Sequence, residues 1–211
     1  MSQLPDAPDL ASPAEWQRLI EAVDPASLLF VIERRLGHTL RAQYAAEDVL
    51  QEALLQAWRS RGEFEWRGLP SFRQWLLTII ERRIRDLADL VAARKRGGGF
   101  AQISLERSRA HGATTAGGDD GFPAATTTPS RLAMYREQAD AMQRALESLP
   151  EELREVVRLR LFEQRPLLQI AAELSIGEAA VRHRFRKGSE LYVLRLKSEL
   201  GSRVSHWSQE K

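Results

Sequence analysis

The chain has 211 residues, with 31 Lys and Arg against 29 Asp and Glu, a formal net charge of +2, and no cysteine. Disulfides, thiolate zinc sites and thiol nucleophiles are therefore excluded, and His38, His111, His183 and His206 are spaced too widely for local ligand pairs, so neither a metal nor a cofactor is expected. The longest apolar run, Leu28 to Ile32, is far shorter than the roughly 18 to 20 residues of a membrane span, and Met1 to Leu10 lacks the charged-then-apolar pattern of a signal peptide. A soluble, cytoplasmic protein without membrane insertion is expected.

Two small domains fit this length better than one large core. Residues 1–24 form a lead with Pro5, Pro8 and Pro13 and then a first helix. Helical periodicity runs from about Ala14 to Arg96, punctuated near Asp24-Pro25, Gly37 and Gly62 to Pro70, and no strand alternation is evident. Within it, "AAEDVLQEALLQAW" at 45–58 carries two faces. Leu50, Ala53, Leu54, Ala57 and Trp58 make an apolar stripe for a core. Asp48, Gln51, Glu52 and Leu55 repeat the same spacing on a neighbouring face, which a core alone does not explain. After the turn "WRGLPS", where Ser71 or Ser60 can cap, Phe72, Leu76, Ile79, Ile80, Leu87, Leu90 and Val91 describe a long amphipathic helix.

Between residues 97 and 130 the composition shifts to Gly, Thr, Ala and Pro with few apolar anchors, which predicts a flexible linker. Helical pattern resumes at Arg131 and continues to about Leu200, leaving a tail at 201–211. In "PLLQIAAELSIGEAAVRHRFRKGSE", a short helix with Ile170, Ala171 and Leu174 inside breaks at "SIG" and restarts at Glu178, the outline of a helix-turn-helix. Small Ala171 lets the helices approach, Ile176 plugs the turn, and Val181 and Phe185 return the second helix to the core. Its other side carries Ala179, His183, Arg186 and Lys187, with Arg182 at the edge, a basic face able to enter a major groove. An ordinary solvated helix is the plainer alternative.

Charge is sorted along the chain. Arg82 to Arg96 holds six basic residues against two acidic, as does Glu178 to Lys197, while Ala45 to Ala57 holds three acids and no base. Arg184 and Arg195 suit phosphate contacts or ion pairs equally.

Three stretches in order resemble the bacterial sigma-70 family, in its small extracytoplasmic-function branch, over roughly residues 25–96 and 131–198. "AEDVLQEALLQAW" is similar to region 2.2, "SFRQWLLTIIERRIRD" to the region 2.3 and 2.4 helix that opens with Phe-x-x-Trp-Leu, and "LESLPEELREVVRLRLFEQRPLLQIAAELSIGEAAVRHRF" to region 4. The resemblance implies an all-α fold: a region 2 helical bundle at 25–96 and a region 4 helix-turn-helix at 131–200, joined by the linker. It implies that residues 48, 51, 52 and 55 dock on the clamp helices of RNA polymerase. An acidic and amide row with one aliphatic anchor suits a polar, reversible interface with a basic partner helix. Intramolecular pairing with Arg34, Arg35 or Arg41 is the competing use of the acids.

The resemblance further implies that the loop Glu63 to Ser71 and the helix after it read and open the promoter −10 element. Phe64 and Trp66 would supply stacking faces, and Arg67, Arg73, Arg82 and Arg85 would hold the backbone. Trp75 and Phe72 fall on the apolar stripe and read as core; Arg83 lies near its centre and reads as snorkelling or ion-paired. Region 4 would read the −35 element from the helix opened by Glu178, through Arg182, His183, Arg186 and Lys187. The partners implied are core RNA polymerase and promoter DNA, with an anti-sigma factor left open, and no catalytic reaction belongs to the chain itself.

Several residues depart from the family pattern. Arg82 stands where many members have Asn, which puts the −10 base preference in question. Ser175 replaces the usual turn glycine, Gly177 the usual serine cap, and Gly188 interrupts the recognition helix where Ala is common. Region 3 has no counterpart. The rival readings are a stand-alone helix-turn-helix regulator, which would need a dimer interface and leaves the residue 48–55 face unexplained, and a helical nuclease or hydrolase, for which no nucleophile, base or ligand constellation is found.

Overall fold

A computed structural model describes residues 7–95, 122–123 and 127–207, with side chains through residue 201. It is all-helical among the described residues and divides into two compact units between Leu132 and Ala133. Most of the predicted linker, 97–121 and 124–126, lies outside the described residues.

In the first unit, α1 (Pro13–Ala22) opens with Pro13 in the first turn, where its missing N–H costs nothing, and Ser12 Oγ accepting from Glu15 N at 3.4 Å. Although it precedes the predicted bundle, α1 belongs to the same core: Trp16 and Ile20 are fully buried. α2 (Pro25–Arg41) is kinked at Gly37, whose φ of 60° and ψ of 173° break the helical geometry. Its first half, Leu28 to Ile32, is buried on every side, which is why it reads as a continuous apolar run. α3 (Ala46–Arg59) and α4 (Leu69–Lys95) pack on α2 and on each other.

The break at 42–45 before α3 carries no Gly or Pro and escapes the sequence pattern. Neither predicted serine caps α4. Ser60 Oγ instead donates to the Gln56 carbonyl at 2.9 Å at the end of α3, and Ser71 lies inside α4.

Aromatic rings knit α1, α3 and α4 together. Trp16 meets Trp58 edge-on at 5.3 Å and Phe72 at 5.6 Å, contacts worth roughly 0.5–1.5 kcal/mol each beyond the area they bury. From the far end of the predicted linker, Phe122 also reaches Trp58, with ring centroids 6.4 Å apart, and Thr127 is buried.

The second unit contains α5 (Pro129–Glu147) from Ala133 onward, α6 (Glu151–Val157), α7 (Leu167–Glu173) and α8 (Glu178–Trp207). α6 runs into a π-helical turn at Arg158–Phe162 and ends before Pro166, which cannot continue a helix. Burial alone would lower the Arg158 guanidinium, but ion pairs to Glu155, at 2.7 Å, and to Glu163 outweigh it and raise its pKa, so this turn is held by charge as well as packing. α7 and α8 form the helix-turn-helix around Val156, Leu159, Ile170 and Val181, with Ala171, Leu174, Ile176 and Phe185 packed against them. Helical backbone continues to Trp207, beyond the predicted end near Leu200 and into the predicted tail.

Gly188 does not interrupt α8. It is buried where α8 crosses α6, and a Cβ there would lie 2.6 Å from Val157 Cγ2. The missing side chain permits the close approach.

Candidate nucleic-acid and protein interfaces

On α3 the two predicted faces separate cleanly. Leu50, Ala53, Leu54, Ala57 and Trp58 are buried, whereas Asp48, Gln51 and Glu52 are exposed and Leu55 is half-buried at the margin. Part of the acidic character has a local purpose, because Ala45 provides no side-chain cap and Glu47 and Asp48 in the first turn face the positive end of the helix dipole. Glu52 does pair within the unit, but with Arg83, whose Nε lies 2.5 Å from Glu52 Oε2. Arg35 pairs instead with Glu81 on α4. In both pairs the arginine is half-buried and the carboxylate remains open to solvent, and surface pairs contribute between 0 and about 1 kcal/mol.

The predicted −10 set divides. Arg82 and Arg85 are exposed three residues apart on α4, opposite the buried Ile80, Ile84 and Leu87. Arg67 is exposed and paired at 2.7 Å with the equally exposed Glu65. Trp66 is half-buried. Phe64 is built into the core margin: it stacks on Trp75 at 4.7 Å and 28°, and touches Phe72 and Trp66 edge-on, so one ring face is already covered. Phe72 is buried and Trp75 half-buried, as the stripe predicts.

Arg73 must be withdrawn from this set. It is 7 % exposed, and its Nη1 donates to the Val23 carbonyl at 2.9 Å and to Ser27 Oγ at 2.8 Å, so it ties α4 to the start of α2. Burial pushes its pKa below the usual value and nearby Asp24 counteracts this. A side chain so enclosed cannot reach a DNA backbone.

In the second unit, Val181, Gly188 and Tyr192 are buried and Phe185 half-buried along one side of α8, leaving Arg182, His183, Arg186 and Lys187 exposed on the other. Glu178, in the first turn, forms an ion pair with Arg182 four residues on, which orients that arginine beside the helix start. Arg184 lies 3.9 Å from Glu152 and serves the unit internally. The turn before α8 holds Ser175 at a φ of 53°, the left-handed conformation for which glycine is the unstrained choice. Gly177 precedes α8, its carbonyl accepting from Val181 N at 3.1 Å with no side chain to cap the free amides.

Sequence reasoning passed over Arg59 and Arg61 at the end of α3. Arg61 lies 3.8 Å above the Trp58 ring and donates to the Trp58 carbonyl at 2.5 Å; the basic residues following "AW" were the available signal. Among the described residues no group of three or more acids and histidines is placed to hold a metal ion, and no helix is long and apolar enough to cross a membrane.

Comparison with known proteins adds an independent line. Residues 27–96 match the Sigma-70 region 2 family and residues 139–190 match Sigma-70, region 4. The RNA polymerase sigma-H factor of Pseudomonas aeruginosa is 30 % identical over 146 residues, 69 % of each chain. The ECF RNA polymerase sigma-E factor of Escherichia coli K12 is 27 % identical over 143 residues, 68 % of this chain and 69 % of that one. A probable RNA polymerase sigma factor of Xanthomonas campestris, RfaY, is 28 % identical over 143 residues, which span only 32 % of its own length. With both regions matched in order and the helices that carry them folded as described, the chain belongs to the sigma-70 family of RNA polymerase sigma factors, in its extracytoplasmic-function branch.

Proposed function

We propose that the chain binds core RNA polymerase through Asp48, Gln51, Glu52 and Leu55 and directs it to promoters, with region 2 opening the −10 element and region 4 reading the −35 element. The observation that carries this reading is the double face of α3: a complete buried stripe beside an exposed row with no role in the core. Trp66, Arg67, Arg82 and Arg85 are the region 2 residues offered to DNA, and Arg182, His183, Arg186 and Lys187 those of region 4, with Glu178 positioning Arg182. Each unit presents only a few cations, so each alone binds DNA weakly and in a salt-sensitive way. Fixing both on one polymerase raises the effective concentration of the second contact.

Run-off transcription with purified core polymerase on a genomic fragment library tests the proposal. Initiation at discrete sites should depend on this protein and fall with Gln51→Ala. No transcript at any protein concentration, or tight sequence-specific binding by the free chain without polymerase, would overturn it.

A further inference from the structure

One cation of the basic helix α4 is placed unlike its neighbours. Arg82 and Arg85 are exposed, but Arg83, between them in sequence, is half-buried where α4 packs on α3. Its side chain is 24 % exposed and its Nε donates to Glu52 Oε2 at 2.5 Å, while the Glu52 side chain remains 51 % exposed. The arginine is thus the fixed member of the pair and the acid the open one. A carboxylate has about four acceptor positions, and this contact uses one of them.

Glu52 belongs to the exposed row of α3, one turn after Asp48. Like charges at that spacing repel, which drives the two carboxylates apart. Arg83 offsets this repulsion and holds Glu52 in one conformation. Binding ordinarily orders a long, rotamer-rich side chain at a cost, and a side chain already held does not incur it. An opposing effect exists, since a nearby cation also lowers the negative potential that draws in a basic partner helix. At the open carboxylate of Glu52 that loss is screened by water and salt, whereas the ordering cost is not, so positioning is the larger effect.

We infer that Arg83 is a positioning residue for polymerase docking, acting through Glu52, and takes no part in holding DNA although it sits in the basic helix. The inference rests on the docking role of the α3 row proposed above. It carries the functional surface of α3 over onto α4 and divides the cations of α4 by partner. Arg83 serves the polymerase; Arg82 and Arg85 face the promoter.

The Arg35–Glu81 pair supplies an internal control. It also ties α4 to a neighbouring helix, α2, with the arginine 22 % and the acid 42 % exposed, but neither residue belongs to the α3 row. Its loss removes a comparable ion pair without touching Glu52.

The test titrates labelled full-length chains with core RNA polymerase by fluorescence anisotropy, with thermal melting of each chain alongside. Arg83→Gln should weaken polymerase binding about three- to tenfold, and Arg83→Lys, which keeps the charge, should recover part of the loss. Glu81→Gln should leave the affinity within about twofold of wild type while lowering the melting temperature about as much as Arg83→Gln does. In a Glu52→Ala background there is no carboxylate to position, so adding Arg83→Gln should change the affinity by less than about twofold. With polymerase saturating, the Arg83→Gln holoenzyme should bind promoter DNA as wild type does, with the same slope of log affinity against log salt, whereas Arg82→Gln or Arg85→Gln should lower that slope.

An Arg83→Gln chain that binds polymerase as tightly as wild type, or more tightly, would overturn the inference. So would a loss that persists undiminished in the Glu52→Ala background, or a lowered promoter salt slope. These results leave the docking role standing as long as Gln51→Ala still weakens polymerase binding. If Gln51→Ala has no effect, the docking role fails and this inference with it.

Discussion

Replacing Gly188 by alanine tests how the second unit is packed. The added Cβ would lie 2.6 Å from Val157 Cγ2, 3.3 Å from Leu153 Cβ and 3.4 Å from the Leu153 carbonyl oxygen. None of these atoms yields easily: Val157 is β-branched, stiff about χ1 and fully buried, and the other contacts are on or next to the backbone. Overpacking of this kind costs roughly 1–3 kcal/mol. In the opposite direction, Gly→Ala inside a helix stabilises by roughly 0.5–1 kcal/mol.

The net expectation is a loss of about 1–2 kcal/mol, and each kcal/mol lowers the melting temperature of a unit this size by roughly 4–8 °C. Urea and thermal unfolding of the full chain, followed by circular dichroism, measure it. Adding Val157→Ala removes the obstructing methyl groups, so in that background Gly188→Ala should become neutral or stabilising, with a coupling of about 1 kcal/mol or more. A Gly188→Ala protein as stable as wild type with Val157 intact would refute the close-approach argument.

Arg73→Ala should destabilise the first unit by about 2–4 kcal/mol, because it leaves the Val23 carbonyl and Ser27 Oγ buried without their donor, and thermal melting reads this directly. Ser175→Gly should raise the unfolding free energy by up to about 1 kcal/mol by relieving the left-handed backbone at φ 53°, with no change in promoter binding. Arg186→Ala and Lys187→Ala should each weaken holoenzyme binding to promoter DNA. If the residue contacts phosphate, the slope of log affinity against log salt should fall by about one; if it reads a base, the preference at one −35 position should relax instead.

The features legible in the sequence are those set by local period. The two faces of α3, the buried stripe of α4, and the inward Ile170, Val181 and Phe185 of the helix-turn-helix follow from helical spacing, and burial falls where that spacing puts it. Partners far apart in the chain leave no such mark. Arg73 looks like one more cation at the mouth of a basic helix until the turn between α1 and α2 brings the Val23 carbonyl to it from fifty residues away. Glu52 has three nearer arginines as candidates but meets Arg83.

Phe64 reads as a free aromatic in a loop and proves to be stacked on Trp75. Gly188 reads as a helix breaker because the reason for it, Val157, is thirty-one residues earlier on another helix.

The central claim is that the exposed row of α3 is the polymerase-docking surface. The most direct measurement is the affinity of labelled full-length protein for core RNA polymerase, by anisotropy, for wild type and for Asp48→Lys with Glu52→Lys. The account predicts tight wild-type binding and a loss of at least about tenfold, roughly 1.4 kcal/mol, in the charge-reversed protein, which should stay folded with a melting temperature only a few degrees lower, because the helix-dipole contribution of Asp48 and the Glu52–Arg83 ion pair together contribute about 1–2 kcal/mol. Equal affinity of the two proteins for the polymerase would contradict it.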